Sequence, residues 1–266
     1  MLLIFPVFFG FYFSLFKVNF LQIERFTWFQ NFGRILGRPE TLPAIGRSLF
    51  LSLTAAALSI LAGFILAYWA DKRSGGYSYF IQILGLVPWV TSMVVGALLW
   101  KWIFAGDLGL YNYVRSLVGL SKVQPLQYAG SAMGSLIFVV AWRTVGYSMV
   151  MILAGLKTVP IELIEASRVD GANLPQRLLY IIIPSIRTSV LVAMIVVTLS
   201  NMNNVTVPMV LTGGGPAEAT NVASLELYRM GFLYNDFGGA SALALVMFGI
   251  NVLLIVVYMR MVKWNV

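Results

Sequence analysis

Residues 161–187 read IELIEASRVDGANLPQRLLYIIIPSIR and hold three of the chain's ten acidic residues between two long apolar runs. Pro160 and Glu162 stand where a first helical turn favours them. The proline's missing N–H is not needed there, and the carboxylate faces the positive end of the helix dipole. Asp170-Gly171 stops the run, with Gly171 expected in the left-handed conformation that ends many helices. Asn173 is placed to cap a second helix, Pro175 lies in its first turn, and Leu174, Leu178, Ile181 and Ile182 recur at helical spacing. Pro184 marks a bend before the next apolar run. The stretch therefore predicts a short helix, a glycine turn and a second helix. Such a helix at a bundle end either rests on lipid headgroups or docks into another protein. Glu165 and Asp170 weigh against anionic headgroups, and the residues alone leave both readings open.

The surrounding chain predicts a membrane protein. It has 266 residues, 59% hydrophobic and 11% charged, with a mean hydropathy of +0.86; a soluble domain carries about 25% charged residues. The apolar residues fall in long blocks: Met1–Phe16, Ser48–Ala70, Tyr77–Trp100, Val123–Trp142 continuing through Thr144–Leu156, Thr188–Ala217 and Phe237–Met259. A helix needs about 20 such residues to cross the hydrocarbon layer. The blocks predict an all-α, polytopic protein of six transmembrane helices, and their continuity argues against the alternation of a β-barrel. The first block lacks a basic lead-in and a small-residue cleavage site before Lys17, and so reads as a span rather than a signal peptide.

Other classes fall away on composition. The chain has no cysteine and no histidine, which excludes thiol and imidazole catalysis, disulfides and His/Cys zinc sites. The net charge of +8 is scattered through the loops, so it suits lipid headgroups rather than nucleic acid. No Asp or Glu lies inside an apolar block. That disfavours an ion-coupled secondary transporter, the principal alternative, and an intramembrane carboxylate enzyme. Lys and Arg near the span ends are balanced between the two sides, so charge does not orient the chain. We read a single transmembrane domain over residues 1–266, with Pro88 and Pro208 expected to kink the third and fifth spans.

EASRVDGANLPQRLLYIIIP resembles the EAA loop of permease subunits from bacterial ATP-binding-cassette (ABC) importers. Glu165, Ala166, Asp170, Gly171, Ala172, Ile181 and Pro184 match that pattern, while Ser167 replaces an alanine and Leu178 stands where a phenylalanine is usual. LTGGGPAEATNVASLELYRMGF (211–232), DFGGASA (236–242) and LAGLKTVP (153–160) are similar to the carbohydrate branch, of the maltose and glycerol-phosphate type. The resemblance extends from about residue 45 to the C-terminus. It implies the type I ABC importer permease fold in a bacterial cytoplasmic (inner) membrane, with both termini and the 158–187 loop cytoplasmic. Glu165, Ala166, Ser167, Asp170, Gly171 and Ala172 would belong to the coupling helix, seated on an ABC ATPase dimer. A second homologous permease subunit, in a heterodimer, and an extracytoplasmic substrate-binding protein are the other implied partners, besides membrane lipid.

The implied role is alternating-access import of a sugar or oligosaccharide, neutral or acidic, with no cofactor, metal or catalytic residue in this chain. Gly213-Gly214-Gly215 lacks the GxxxxGK[ST] arrangement of a phosphate-binding loop, so ATP hydrolysis would fall to another subunit. Polar groups inside spans are costly and mark a path. Arg143 is one, and Ser200, Asn201 and Asn204 are spaced to share a helix face. Their amides offer the donors and acceptors that sugar hydroxyls need, although asparagines also serve to join helices. Trp142 and Tyr147 are placed to stack on a sugar or to anchor an interface.

Overall fold

The computed structural model describes residues 4–19 and 22–261. In chain order these form α1 (Ile4–Ser14), strands β1 (Phe16–Asn19) and β2 (Gln22–Phe26), α2 (Gln30–Leu36), α3 (Thr41–Lys72), α4 (Gly76–Val90), α5 (Met93–Ile103), α6 (Leu110–Leu117) and α7 (Ala129–Leu156). The 161–187 segment supplies α8 (Ile161–Val169), α9 (Leu174–Arg177) and α10 (Ile183–Ser185). Helices α11 (Arg187–Met202), α12 (Thr206–Leu211), α13 (Ala223–Tyr228) and α14 (Phe237–Met261) complete the fold.

Among the described residues, α3, α7 and α14 are each long and apolar enough to cross a membrane. Two bent pairs raise the number to as many as five where each pair counts as one span. The expected first span, Met1–Phe16, lies partly outside the described residues; its described part, α1, packs along α14. The all-α expectation holds with one addition, an antiparallel β1–β2 hairpin in the first loop. Phe16 and Phe26 meet edge-on across it at 4.9 Å, and Lys17 pairs with Glu24 at 2.6 Å.

The third and fifth spans, expected to kink at Pro88 and Pro208, are interrupted more sharply than by a proline kink. The third breaks at Thr91-Ser92, just after Pro88, and α4 and α5 diverge by 97°. The bend expected at Pro184 is present as a 71° turn around Ile186 at the entry to the fifth span, and the span itself stops after Met202. Pro208 does not kink it. Pro208 sits in the first turn of α12, where no N–H is needed, so the interruption falls ahead of it at Asn203–Val205.

Lipid gives helices no hydrophobic reason to associate, so close packing of small residues takes over. The contact between α3 and α7 shows this. The Ser59 and Ser148 hydroxyls bond at 2.7 Å in a buried site, and a Cβ on Gly63 would lie 2.7 Å from the Ser148 Cβ. Gly146 likewise lets α7 approach the Gly85 carbonyl of α4. At the far end, Asp236 accepts from the Gly239 amide at 2.9 Å and from Arg34 at 2.8 Å, fixing α2 to the start of α14. Leu58, Leu61 and Ile65 on α3 stay exposed, as a lipid-facing helix requires.

Candidate functional site

Two separate constellations emerge. The first is the 161–187 segment. Its base is anchored: Ile182 and Ile186 are buried against Ala67, Met149, Ile152 and Leu156. Its tip is bare. Val169 is 88% exposed, Ile161 and Leu163 are exposed, and Glu165, Ala166, Asp170 and Gly171 all face outward. Neither Glu165 nor Asp170 forms an ion pair among the described residues.

The local geometry follows from the residue types. Gly171 adopts φ +75°. The Ala172 amide donates to the Ser167 carbonyl at 2.9 Å and the Gly171 amide to the Arg168 carbonyl at 3.1 Å. That is the Schellman stop, which satisfies carbonyls the helix end leaves free. Ser167 is buried, its hydroxyl bonded to the Ile164 carbonyl at 2.7 Å, and Ala172 is half-buried. Asn173 and Gln176 then form a reciprocal capping box at 2.8 and 3.0 Å, which starts α9 on schedule. The segment is thus a rigid, exposed knob, apolar with acidic flanks, on a packed base.

The second constellation surrounds the break between α4 and α5. Arg143 of α7 donates from Nη1 to the Thr91 carbonyl at 2.7 Å. Thr91 is the C-cap of α4, so the guanidinium sits at the negative end of that helix dipole and fills a carbonyl the helix leaves unpaired. A part-buried charge is stabilised here without any carboxylate. Of the five guanidinium N–H donors, only this one is engaged among the described residues. Trp142 packs edge-on against Trp100 of α5 at 5.5 Å, and Tyr147 lies 5.8 Å from Trp89 of α4. The two aromatics therefore flank the break.

The asparagines are arranged differently from the expected single face, because α11 ends at Met202. Ser200 is exposed, whereas Asn201 is buried with its Nδ2 unpartnered. Asn204 lies beyond the helix end: its Oδ1 accepts from the Val207 amide at 3.1 Å, and its carbonyl accepts from Ser224 Oγ at 2.9 Å. No hydrogen bond or ring contact joins this group to the Arg143 cluster among the described residues. Sequence reasoning misses Asn203, Asn251 and Thr91. Asn203 accepts from Asn251 at 3.3 Å, and these two line a cavity of about 400 Å³ with Ser241. The doublet Asn203-Asn204 is itself a break signal, since both residues prefer caps and turns to helix interiors.

Comparison with known proteins fits this geometry. The family described as binding-protein-dependent transport system inner membrane component matches residues 57–264. The chain is 30% identical over 262 residues to the probable ABC transporter permease protein YurN of Bacillus subtilis, covering 97% of this chain and 90% of that one. It is 28% identical over 264 residues to the trehalose/maltose transport system permease protein MalF of Thermococcus litoralis, covering 99% and 89%. The fold is shared with a chain of a bacterial alginate ABC transporter, solved in complex with an alginate pentasaccharide-bound periplasmic protein. That likeness has a TM-score of 0.78 at 22% identity over 89% of this chain and 83% of the other.

Proposed function

The chain belongs to the binding-protein-dependent transport system inner membrane component family, and from that premise we propose a permease subunit of an ABC importer for sugars or oligosaccharides. The observation that carries the reading is the bare 161–187 knob standing on a packed base within the family match. A surface with Val169 and Ile161 exposed beside unpaired carboxylates needs a protein partner more than a headgroup layer. In this reading the partner is an ABC ATPase, and Glu165 to Ala172 form the coupling helix. Closure of the ATPases pushes the knob, and its base passes the movement to α7 and to the bent α10–α11 junction. The knob side and both termini are cytoplasmic, and a second permease subunit and an extracytoplasmic binding protein complete the assembly. This chain performs no chemistry on its cargo.

The cargo path runs past the helix break. Arg143 has four N–H donors unused among the described residues, Trp142 and Tyr147 present rings, and Asn201 carries an unpartnered amide. A guanidinium with open donors suits a carboxylate or a pair of hydroxyls. The sugar reading draws support from the trehalose/maltose permease and alginate transporter likenesses. The test is to express the chain with its neighbouring subunits and measure ATP-dependent uptake of a panel of neutral and acidic saccharides. Uptake that needs ATP and a co-purifying ATPase is the expected result. Uptake driven by an ion gradient without an ATPase refutes it.

A further inference from the structure

A cavity of about 900 Å³ lies at the end of α7 opposite the 161–187 knob. It falls in the size range of small-molecule sites, roughly 300–1,000 Å³. Its walls come from the end of α5 and its C-cap (Trp100, Phe104), from α6 (Tyr111), and from α7 and its N-cap (Tyr128, Ser131, Phe138).

The rings form a connected series. Tyr111 meets Phe104 edge-on at 5.9 Å, Phe104 lies 5.3 Å from Trp100, and Trp100 touches both Phe138 at 4.9 Å and Trp142 at 5.5 Å. The series therefore runs from the cavity wall to Trp142, the residue next to Arg143 in α7. The lining also holds polar side chains, Lys122, Gln124, Ser131 and Ser135.

The outer wall is preorganised. Asn112 is buried within the 105–130 connection, and its amide donates to the Gly106 and Val123 carbonyls at 2.8 and 2.6 Å. Its oxygen accepts from the Val123 amide at 3.0 Å. Three bonds from one side chain hold the loop that supplies Val123 and Gln124 to the cavity wall.

We propose that this cavity is an outer subsite for one pyranose ring, occupied before the sugar reaches Arg143. A pyranose has an apolar C–H face and a hydroxyl edge. Aromatic walls carrying an amide and a hydroxyl match both, since such rings supply large apolar contact beside polar handles. The inference rests on the sugar-import reading and adds a second binding station to it.

The chain's lack of cysteine makes the test direct. Ser131→Cys places a single thiol of this chain in the wall, and its reaction with a polar maleimide is followed in the assembled importer in lipid nanodiscs. The probe is whichever member of the saccharide panel is carried in the uptake assay. At ten times its half-saturating concentration a single site is about nine-tenths occupied, so labelling of the introduced thiol slows about tenfold. A second measurement uses Tyr128→Ala, at a residue that is 69% exposed. It raises the half-saturating concentration for uptake about two- to tenfold, the range one aromatic contact supplies, and Tyr128→Phe restores it. Unchanged labelling together with unchanged half-saturation overturns the subsite while uptake itself stands. An introduced thiol that stays unreactive with and without sugar also overturns it, by showing the cavity covered by lipid or another subunit. Failure of every panel member to be carried is the separate failure of the sugar-import reading, and it takes this proposal with it.

Discussion

Gly171 offers the sharpest test of the coupling assignment, because its backbone strain and its packing separate cleanly. Its φ is +75°, and a Cβ built on it meets nothing within 4 Å. Gly171→Ala therefore creates no clash. The whole cost is the left-handed backbone, about 1–2 kcal/mol for a residue with a Cβ. That cost falls on the Schellman stop, whose two bonds fix where α8 ends relative to α9. If this knob must hold one geometry against a partner, the docked population drops about 5- to 30-fold. The assay is the assembled importer in proteoliposomes, scored for ATPase recovery, sugar carried per ATP hydrolysed and thermal unfolding. Gly171→Ala should lower the first two and leave the unfolding temperature in place. Gly171→Val should be worse, and Gly171→Asn should recover part of the loss, since asparagine tolerates this conformation. Gly155→Ala is the contrasting control: its Cβ would lie 2.6 Å from Ser189 Oγ, so it should lose thermal stability. Normal coupling in Gly171→Val would refute the reasoning, as would a Gly171→Ala variant that behaves like Gly155→Ala.

Gly63→Val should separate α3 from α7, costing about 1–3 kcal/mol by overpacking, and appears as reduced recovery of folded protein in detergent. Arg143→Met removes the charged bond to the Thr91 carbonyl, worth about 1.5–3 kcal/mol. Saccharide uptake should fall with subunit recovery intact, and full uptake would return Arg143 to a purely structural role. Asn204→Leu loses the cap on the Val207 amide, at about 1 kcal/mol, and lowers both unfolding temperature and uptake. Asn204→Asp keeps the acceptor, so it should restore the unfolding temperature; if it also restores uptake, the Asn204 amide donor plays no part in sugar binding.

Strong, local signals are legible in the residues. Long charge-free blocks dictate membrane helices because nothing else satisfies the backbone in hydrocarbon. The Asp170-Gly171 stop, the Asn173 cap and the bend at Pro184 are set by interactions within a few residues, and the structure carries all three. Breaks decided by packing are not legible. Pro88 announces a kink, but at the 97° divergence the end of α4 is met by Arg143, which stands 52 residues away and donates to the Thr91 carbonyl. The fifth span reads as one run because Thr188–Ala217 carries no charge. It ends at Met202, where α13 supplies the Ser224 hydroxyl to the Asn204 carbonyl, and this parts Asn201 from Asn204. The aromatic cavity is equally hidden, since Tyr111, Trp100 and Phe138 lie on three elements. Composition and short-range order thus fix which segments enter the membrane and where the knob turns. The positions of Arg143, the asparagines and the rings relative to one another arise from contacts between distant segments, which local patterns do not encode.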